Sequence, residues 1–246
     1  MMLSMSDDSG VRPFEADVAE RGGYVYTTGA QLSSRLANRR LTDAALSVAR
    51  VRDRSVIDIG CGDGTYTIEL VDRGGARIVE GVDPAAEAVR VARERAGERP
   101  VTFSEASAYD LPHPDDAFDV AQLRGVLHHV ERPRDALAEA LRVAPRVVAI
   151  EPNGYNLGLK LLERMSRYHR EHEERSYMPR TLDRWVRELG AELAARTFAG
   201  FVPMFSPDRL ARGMKRVEPA VEGLPGVRGA ACAVYVFVAS RPSRGR

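Results

Sequence analysis

Cysteine is scarce in this chain. Only Cys61 and Cys232 occur, far apart and in neither a Cys-x-x-Cys nor a Cys/His ligand spacing, so neither a disulfide framework nor a structural zinc site is indicated and no metal is expected. Long apolar runs are also lacking, since the longest, residues 230–239, is too short to span a bilayer. The first ten residues are polar and acidic rather than basic and then apolar, which is unlike a secretory leader. Charge of one sign is not in excess: 36 Lys and Arg against 35 Asp and Glu leave a net charge of +1 over 246 residues. Composition therefore supplies no argument for a nucleic-acid partner or a membrane surface. Repeats and low-complexity tracts are missing as well. These absences together describe a cytoplasmic protein with reduced thiols, expected as a monomer or homodimer.

What is present centres on one stretch, Val56-Ile57-Asp58-Ile59-Gly60-Cys61-Gly62-Asp63-Gly64-Thr65. Apolar, mostly β-branched residues run into three glycines at alternate positions, and Tyr66 to Val71 then reads as a helix. Glycine removes Cβ atoms where a ligand must approach the backbone, and N–H groups left free at a helix N-terminus would suit a carboxylate or phosphate.

Around this turn, short apolar strands alternate with helices. Strands are expected at residues 77–84, 101–103, 118–123 and 146–150, with helices between them, and Leu32, Leu36, Leu41, Ala45, Leu46 and Val48 form a helical stripe ahead of the first strand. That order predicts an α/β fold with a doubly wound, mostly parallel sheet and its chemistry at the carboxyl ends of the strands. Residues 1–22 read as a flexible N-terminus and 23–152 as the ligand-binding part with its helical lead-in. Residues 153–190 read as a helical cap insertion, and 191–246 as strands and a helix completing the same sheet, the two late strands antiparallel. Within the insertion Pro179 ends a densely polar segment and Thr181 is expected to cap a helix carrying Leu182, Trp185, Val186 and Leu189.

A dinucleotide fingerprint would need a third glycine one place beyond Gly64, where Thr65 stands, and no Tyr-x-x-x-Lys pair is present; a nicotinamide-dependent oxidoreductase is thus the weaker alternative. The glycine turn with Gly81-Val82-Asp83-Pro84 downstream resembles the class I S-adenosylmethionine-dependent methyltransferases. The runs Asp110-Leu111-Pro112, Phe118-Asp119-Val120 and Leu127-His128-His129-Val130, followed by Pro133, resemble their small-molecule branch, which includes ubiquinone and menaquinone biosynthesis enzymes. The resemblance covers residues 50–152 and implies a seven-stranded Rossmann-like sheet, S-adenosylmethionine as methyl donor, and methyl transfer to oxygen, nitrogen or carbon of a small metabolite. A protein of the same fold that binds the cofactor without turning it over is a further alternative.

By that resemblance the cofactor contacts are Asp58, Gly60, Cys61, Gly62, Gly64, Asp83, Pro84, Ser107, Ala108 and Arg124. Asp83 would accept both ribose hydroxyls. Asp58 would either lie beside the cationic methionine portion or brace the turn. Cys61 reads as tight packing rather than a nucleophile. Family members often carry an acid after the third strand for the adenine amino group, and Ser107 stands in that place, with the Ala108 N–H beside it. Arg124 would line the methyl-transfer end, bind an acidic substrate, or pair with a neighbouring carboxylate. A base is optional in a one-step displacement; His128, His169 and His172 are the catalytic candidates, with His129 and Glu151 also at the right edge. His128 and His129 are expected on a helix, pointing apart. His169 and His172, three apart, could form a base or even a metal pair. Substrate contacts are expected from Tyr24, Tyr26, Glu151, Tyr155, Tyr168 and Tyr177, with Arg39 closing over the glycine turn.

Overall fold

The computed structural model describes residues 31–160 and 176–242. In chain order the elements are α1 (Leu32–Ala49), β1 (Ser55–Ile59), α2 (Thr65–Asp72), β2 (Ile78–Asp83), α3 (Ala86–Ala96), β3 (Val101–Glu105), β4 (Val120–Arg124), α4 (Pro133–Val143), β5 (Arg146–Pro152), α5 (Pro179–Glu188), β6 (Glu192–Ala199), α6 (Asp208–Gly223), α7 (Val227–Ala231) and β7 (Val234–Ser240). The strands form one seven-stranded sheet in the order β3-β2-β1-β4-β5-β7-β6. The first five are parallel, and β7 runs antiparallel between β5 and β6.

Side chains alternate along each strand, so the sheet has two apolar faces, each with its own core cluster. On one face Val56, Val79, Val120, Val148 and Val236 meet α1, α2 and α3; on the other Ile57, Ile59, Leu123, Val147 and Phe237 meet α4 and α5. In α4, Pro133 occupies the first turn, Asp135 and Arg142 complement the two ends of the helix dipole, and Ala136, Leu137, Ala140 and Leu141 are buried.

Two expectations change. The buried face of α1 is made of Ser33, Ser34, Ala37, Leu41, Thr42, Ala44, Ala45 and Ala49, while Leu32, Leu36 and Leu46 are only partly covered. Small residues let this helix lie close against the sheet. Thr181 does not cap α5: Met178 is the N-cap residue and its carbonyl accepts from Thr181 N, because Pro179, with its fixed φ, sets the first helical position. Leu182 and Val186 of α5 are fully buried in the second core cluster, each worth about 1.5–3 kcal/mol. Residues 179–188 of the expected cap are therefore a structural layer of the sheet.

Candidate functional site

The glycine turn closes β1 onto β2. Gly60, Gly62 and Gly64 have φ of 73°, 53° and 75°. A Cβ at Gly60 would lie 2.5 Å from Val126 Cγ2, and one at Gly64 would lie 2.8 Å from Ala92 Cβ and from the Phe103 ring, so side chains are excluded by strain and by space. Within the turn itself the N–H groups are taken up. Gly60 N and Cys61 N both donate to Val82 O, Gly62 N to Asp83 Oδ2, Gly64 N to Cys61 O and Thr65 N to Asp63 Oδ1. The turn is held by the chain itself before any ligand arrives.

Asp83 is the hinge of this arrangement. Its Oδ2 accepts from Gly62 N and its Oδ1 from Ala85 N, both at 2.9 Å, and the residue is buried. Burial pushes its carboxyl up to about 6; the two backbone N–H bonds pull it down, and Asp58 and Asp63 add to the rise. Each oxygen keeps a second lone pair for a hydroxyl donor.

Asp58, buried on β1, accepts from Thr67 Oγ1 at 2.6 Å and from Gln122 Nε2 at 3.0 Å, tying α2 and β4 to β1. Burial raises its pKa against the pull of those bonds and of Arg124. The Arg124 guanidinium lies 3.3 Å above the Tyr66 ring and donates through Nη1 to Thr42 Oγ1, which in turn donates to Glu69. Its Nη2 is sealed from solvent and has no hydrogen-bond partner, and no carboxylate pairs with Arg124 among the described residues. Burial lowers its pKa; Tyr66, Glu69 and Asp58 oppose that. Of the roles open to Arg124, pairing with a neighbouring carboxylate is not observed.

Ser107 Oγ accepts from Tyr109 N and its carbonyl from Asp110 N, while Ala106 N donates to the Asp83 carbonyl, so the segment carrying Ser107 and Ala108 is docked beside Asp83. Pro84 is exposed. The Cys61 thiol is buried, and burial together with Asp83 and Asp58 pushes its pKa well up, which suits packing and not nucleophilic attack.

On the other side of Arg124 the chain forms a turn, not the expected helix, and the His128 and His129 rings lie against each other, centroids 3.9 Å apart and planes tilted by 41°, rather than pointing away from each other. Glu151, at the end of β5, is fully buried. Its Oε1 accepts from Val126 N and Leu127 N, and its Oε2 lies 2.7 Å from His128 Nδ1. Glu151 thus positions the His128 loop and is not itself exposed to a substrate, which corrects its expected role. His128 Nε2 has no partner among the described residues and is not sealed from solvent.

The expected insertion is pinned at its base, where Gly154 N donates to Tyr177 O and the Tyr177 ring packs edge-on against Trp185. Tyr155 is 37% exposed. Arg39 lines a groove of about 460 Å³ between α1 and α2 with Arg35, Asn38 and Tyr66. Tyr24, Tyr26, Tyr168, His169 and His172 lie outside the described residues. Sequence reasoning missed Thr42, Tyr66, Thr67 and Gln122; Gln122, a polar residue in the middle of an apolar strand, was the available signal. Among the described residues no three His, Cys, Asp or Glu side chains are grouped to hold a metal ion, and no helix is long and apolar enough to cross a membrane.

The glycine turn, Asp83, Ser107 and Arg124 thus meet at the carboxyl ends of β1 to β4, and residues 57–146 match the family model described as "Methyltransferase domain". Residues 57–146 carry a methyltransferase domain. The chain is 33% identical over 215 residues to an uncharacterized 37.1 kDa protein in transposon TN4556 of Streptomyces fradiae, covering 83% of this chain and 59% of that one. It is 38% identical over 98 residues to a demethylmenaquinone methyltransferase of Clavibacter sepedonicus, 39% of each chain. It is 35% identical over 113 residues to a tRNA U34 carboxymethyltransferase of Methylococcus capsulatus, 45% of this chain and 34% of that one. The chain therefore spans between a third and three fifths of these relatives' length. Its fold is that of magnesium protoporphyrin IX methyltransferase from Synechocystis, solved with S-adenosylhomocysteine bound, at a TM-score of 0.67 and 17% identity over 94% of this chain and 98% of that one.

Proposed function

We propose that this methyltransferase-domain chain binds S-adenosylmethionine and transfers its methyl group to oxygen, nitrogen or carbon of a small metabolite. The observation that carries this reading is the docking of Asp83 against the glycine turn, which offers a fixed carboxylate beside a backbone stripped of Cβ atoms. The residues fit the cofactor. Asp83 would accept the ribose hydroxyls, the segment at Ser107 and Ala108 would edge the adenine, and the unpartnered Nη2 of Arg124 would meet the carboxylate of the amino-acid portion. The bound cofactor supplies an electrophilic methyl group on a sulfonium.

The chain's own task is to align the acceptor and take its proton. His128 Nε2 is the group for the proton: Glu151 holds Nδ1, favours the tautomer with Nε2 unprotonated, and stabilises the imidazolium once it forms. That pairing favours acceptors that lose a proton, above all hydroxyls. A small acceptor, not RNA, is in keeping with the near-neutral chain, and the two buried free cysteines are in keeping with a cytoplasmic setting.

Calorimetry with S-adenosylhomocysteine tests the cofactor assignment, with binding expected for the native chain and at least a tenfold loss for Asp83→Ala. Formation of S-adenosylhomocysteine with a panel of phenols, amines and unmodified tRNA tests the acceptor. Turnover on tRNA alone would overturn the small-molecule reading, and none on any acceptor would leave a binding protein.

A further inference from the structure

Glu151 stands in register with Tyr235 across β5 and β7, and Tyr235 with Phe198 across β7 and β6, so the three share one row on one face of the sheet. Strands lie about 4.8 Å apart, which places Phe198 roughly 10 Å from Glu151 along that row. There the sheet floors a cavity of about 590 Å³, walled by the start of α5 and by α7, a size suited to a small organic ligand.

Three arginines line it: Arg180, Arg196 and Arg228. Its one lining carboxylate, Asp183, is already engaged, accepting from Tyr235 Oη at 2.6 Å and from Arg196 Nη1 at 3.1 Å. Arg180 and Arg228 have no carboxylate partner among the described residues; Arg180 donates only to the Met178 sulfur. Two uncompensated guanidinium groups around a concavity attract an anion, and their planar forks match a carboxylate or phosphate. Phe198, half-buried, and Tyr155, 37% exposed, add aromatic surface beside them. Tyr155 also sits four residues beyond Glu151, at the base of the insertion.

We propose that this cavity binds an aromatic anion, a planar ring bearing a carboxylate or a phosphate, with the anion on Arg180 and Arg228 and the ring against Phe198 and Tyr155. Tyr235 and Glu151 are buried between this cavity and His128, so the cavity is a ligand site separate from the proposed methyl-transfer centre.

The test is calorimetric titration of the full chain with 4-hydroxybenzoate, phenyl phosphate and the neutral 4-hydroxybenzamide. At least one of the two anions should bind ten times or more tighter than the amide, and which one does so separates carboxylate from phosphate. Arg180→Gln and Arg228→Gln should each weaken that anion fivefold or more. Arg228→Lys should keep most of the affinity, and Arg90→Gln, on α3 across the sheet, should change nothing. Both variant sites are on the cavity rim, and unchanged thermal midpoints would certify that each variant is folded. Equal binding of anion and amide, no anion binding, or indifference to both Arg→Gln changes would overturn the proposal. S-adenosylhomocysteine titrated in parallel keeps the two readings apart: its binding without any anion preference overturns the pocket alone, and its failure beside a selective anion site overturns the methyltransferase reading alone.

Discussion

His128 Nδ1 lies 2.7 Å from Glu151 Oε2, while the other oxygen of the same carboxylate accepts two backbone N–H bonds from the loop that carries the histidine. One buried side chain therefore sets both where the imidazole sits and which nitrogen it leaves outward. The two tasks separate by substitution.

Glu151→Gln keeps an oxygen for Val126 N and Leu127 N but loses the charge facing His128. Methyl transfer to a hydroxyl acceptor should fall ten- to a hundredfold in kcat, with S-adenosylhomocysteine affinity within threefold of native. His128→Ala should cost about 10²–10⁴ in rate. Glu151→Ala additionally strands two buried N–H groups and should lower stability by about 2–4 kcal/mol in urea melts, at roughly 1–2 kcal/mol per donor.

The proposed contact of Asp83 with the ribose hydroxyls should make cofactor affinity depend on pH. The Asp83 carboxyl is pushed from 3.8 to about 6 in the folded chain, so between these values the native state holds a proton that the unfolded state has released. More protons are bound in the native state there, and the stability owed to this group therefore falls as pH rises through the window. Ribose hydroxyls are accepted best by the ionised form. S-adenosylhomocysteine affinity should accordingly rise from about pH 5 to 7 with a midpoint near 6, and Asp83→Asn should bind at least tenfold more weakly with that step gone, as read by calorimetry in matched buffers.

Arg124 is a buried cation with one nitrogen unpartnered. Removing it as Arg124→Met should raise the thermal midpoint of the ligand-free chain or leave it unchanged, because the desolvation cost of the charge disappears. The same change should weaken S-adenosylhomocysteine tenfold or more while leaving adenosine, which has no carboxylate, within threefold.

Gly64→Ala places a methyl group 2.8 Å from Ala92 and Phe103 at a φ of 75°. Overpacking and left-handed strain together should lower stability by about 2–5 kcal/mol, visible as a reduced urea midpoint at unchanged m-value.

The architecture and the glycine turn are legible in the sequence because both rest on local signals: strand runs of period two, helical runs of period near four, and glycines where φ is positive. What is not legible depends on partners distant in the chain. The turn's N–H groups are taken up by Val82 O and Asp83, about twenty residues on, and the His128–Glu151 pair joins the ends of β4 and β5. Composition misleads in part at α1, where Leu41 and Ala45 face the core as expected but Leu32, Leu36 and Leu46 are only partly covered and serines and alanines fill most of the face, because closeness to the sheet outweighs side-chain size. At α5, Thr181 has the chemistry of a cap, but Pro179 two residues earlier already fits the first helical turn.

Strand β7 lies between β5 and β6 although it follows both in the chain. Until residues 234–240 have left the ribosome, β6 has no strand to pair with, and the edge of β5, with Glu151 near its end, stays open. The first five strands can assemble as synthesis proceeds, but the β7–β6 side of the sheet forms only by a late, non-local insertion. Such a step is slow and exposes unpaired edges in the interval. Maturation of the β5–β7–β6 side should therefore lag behind that of the side carrying the glycine turn, a lag set by topology and independent of any ligand.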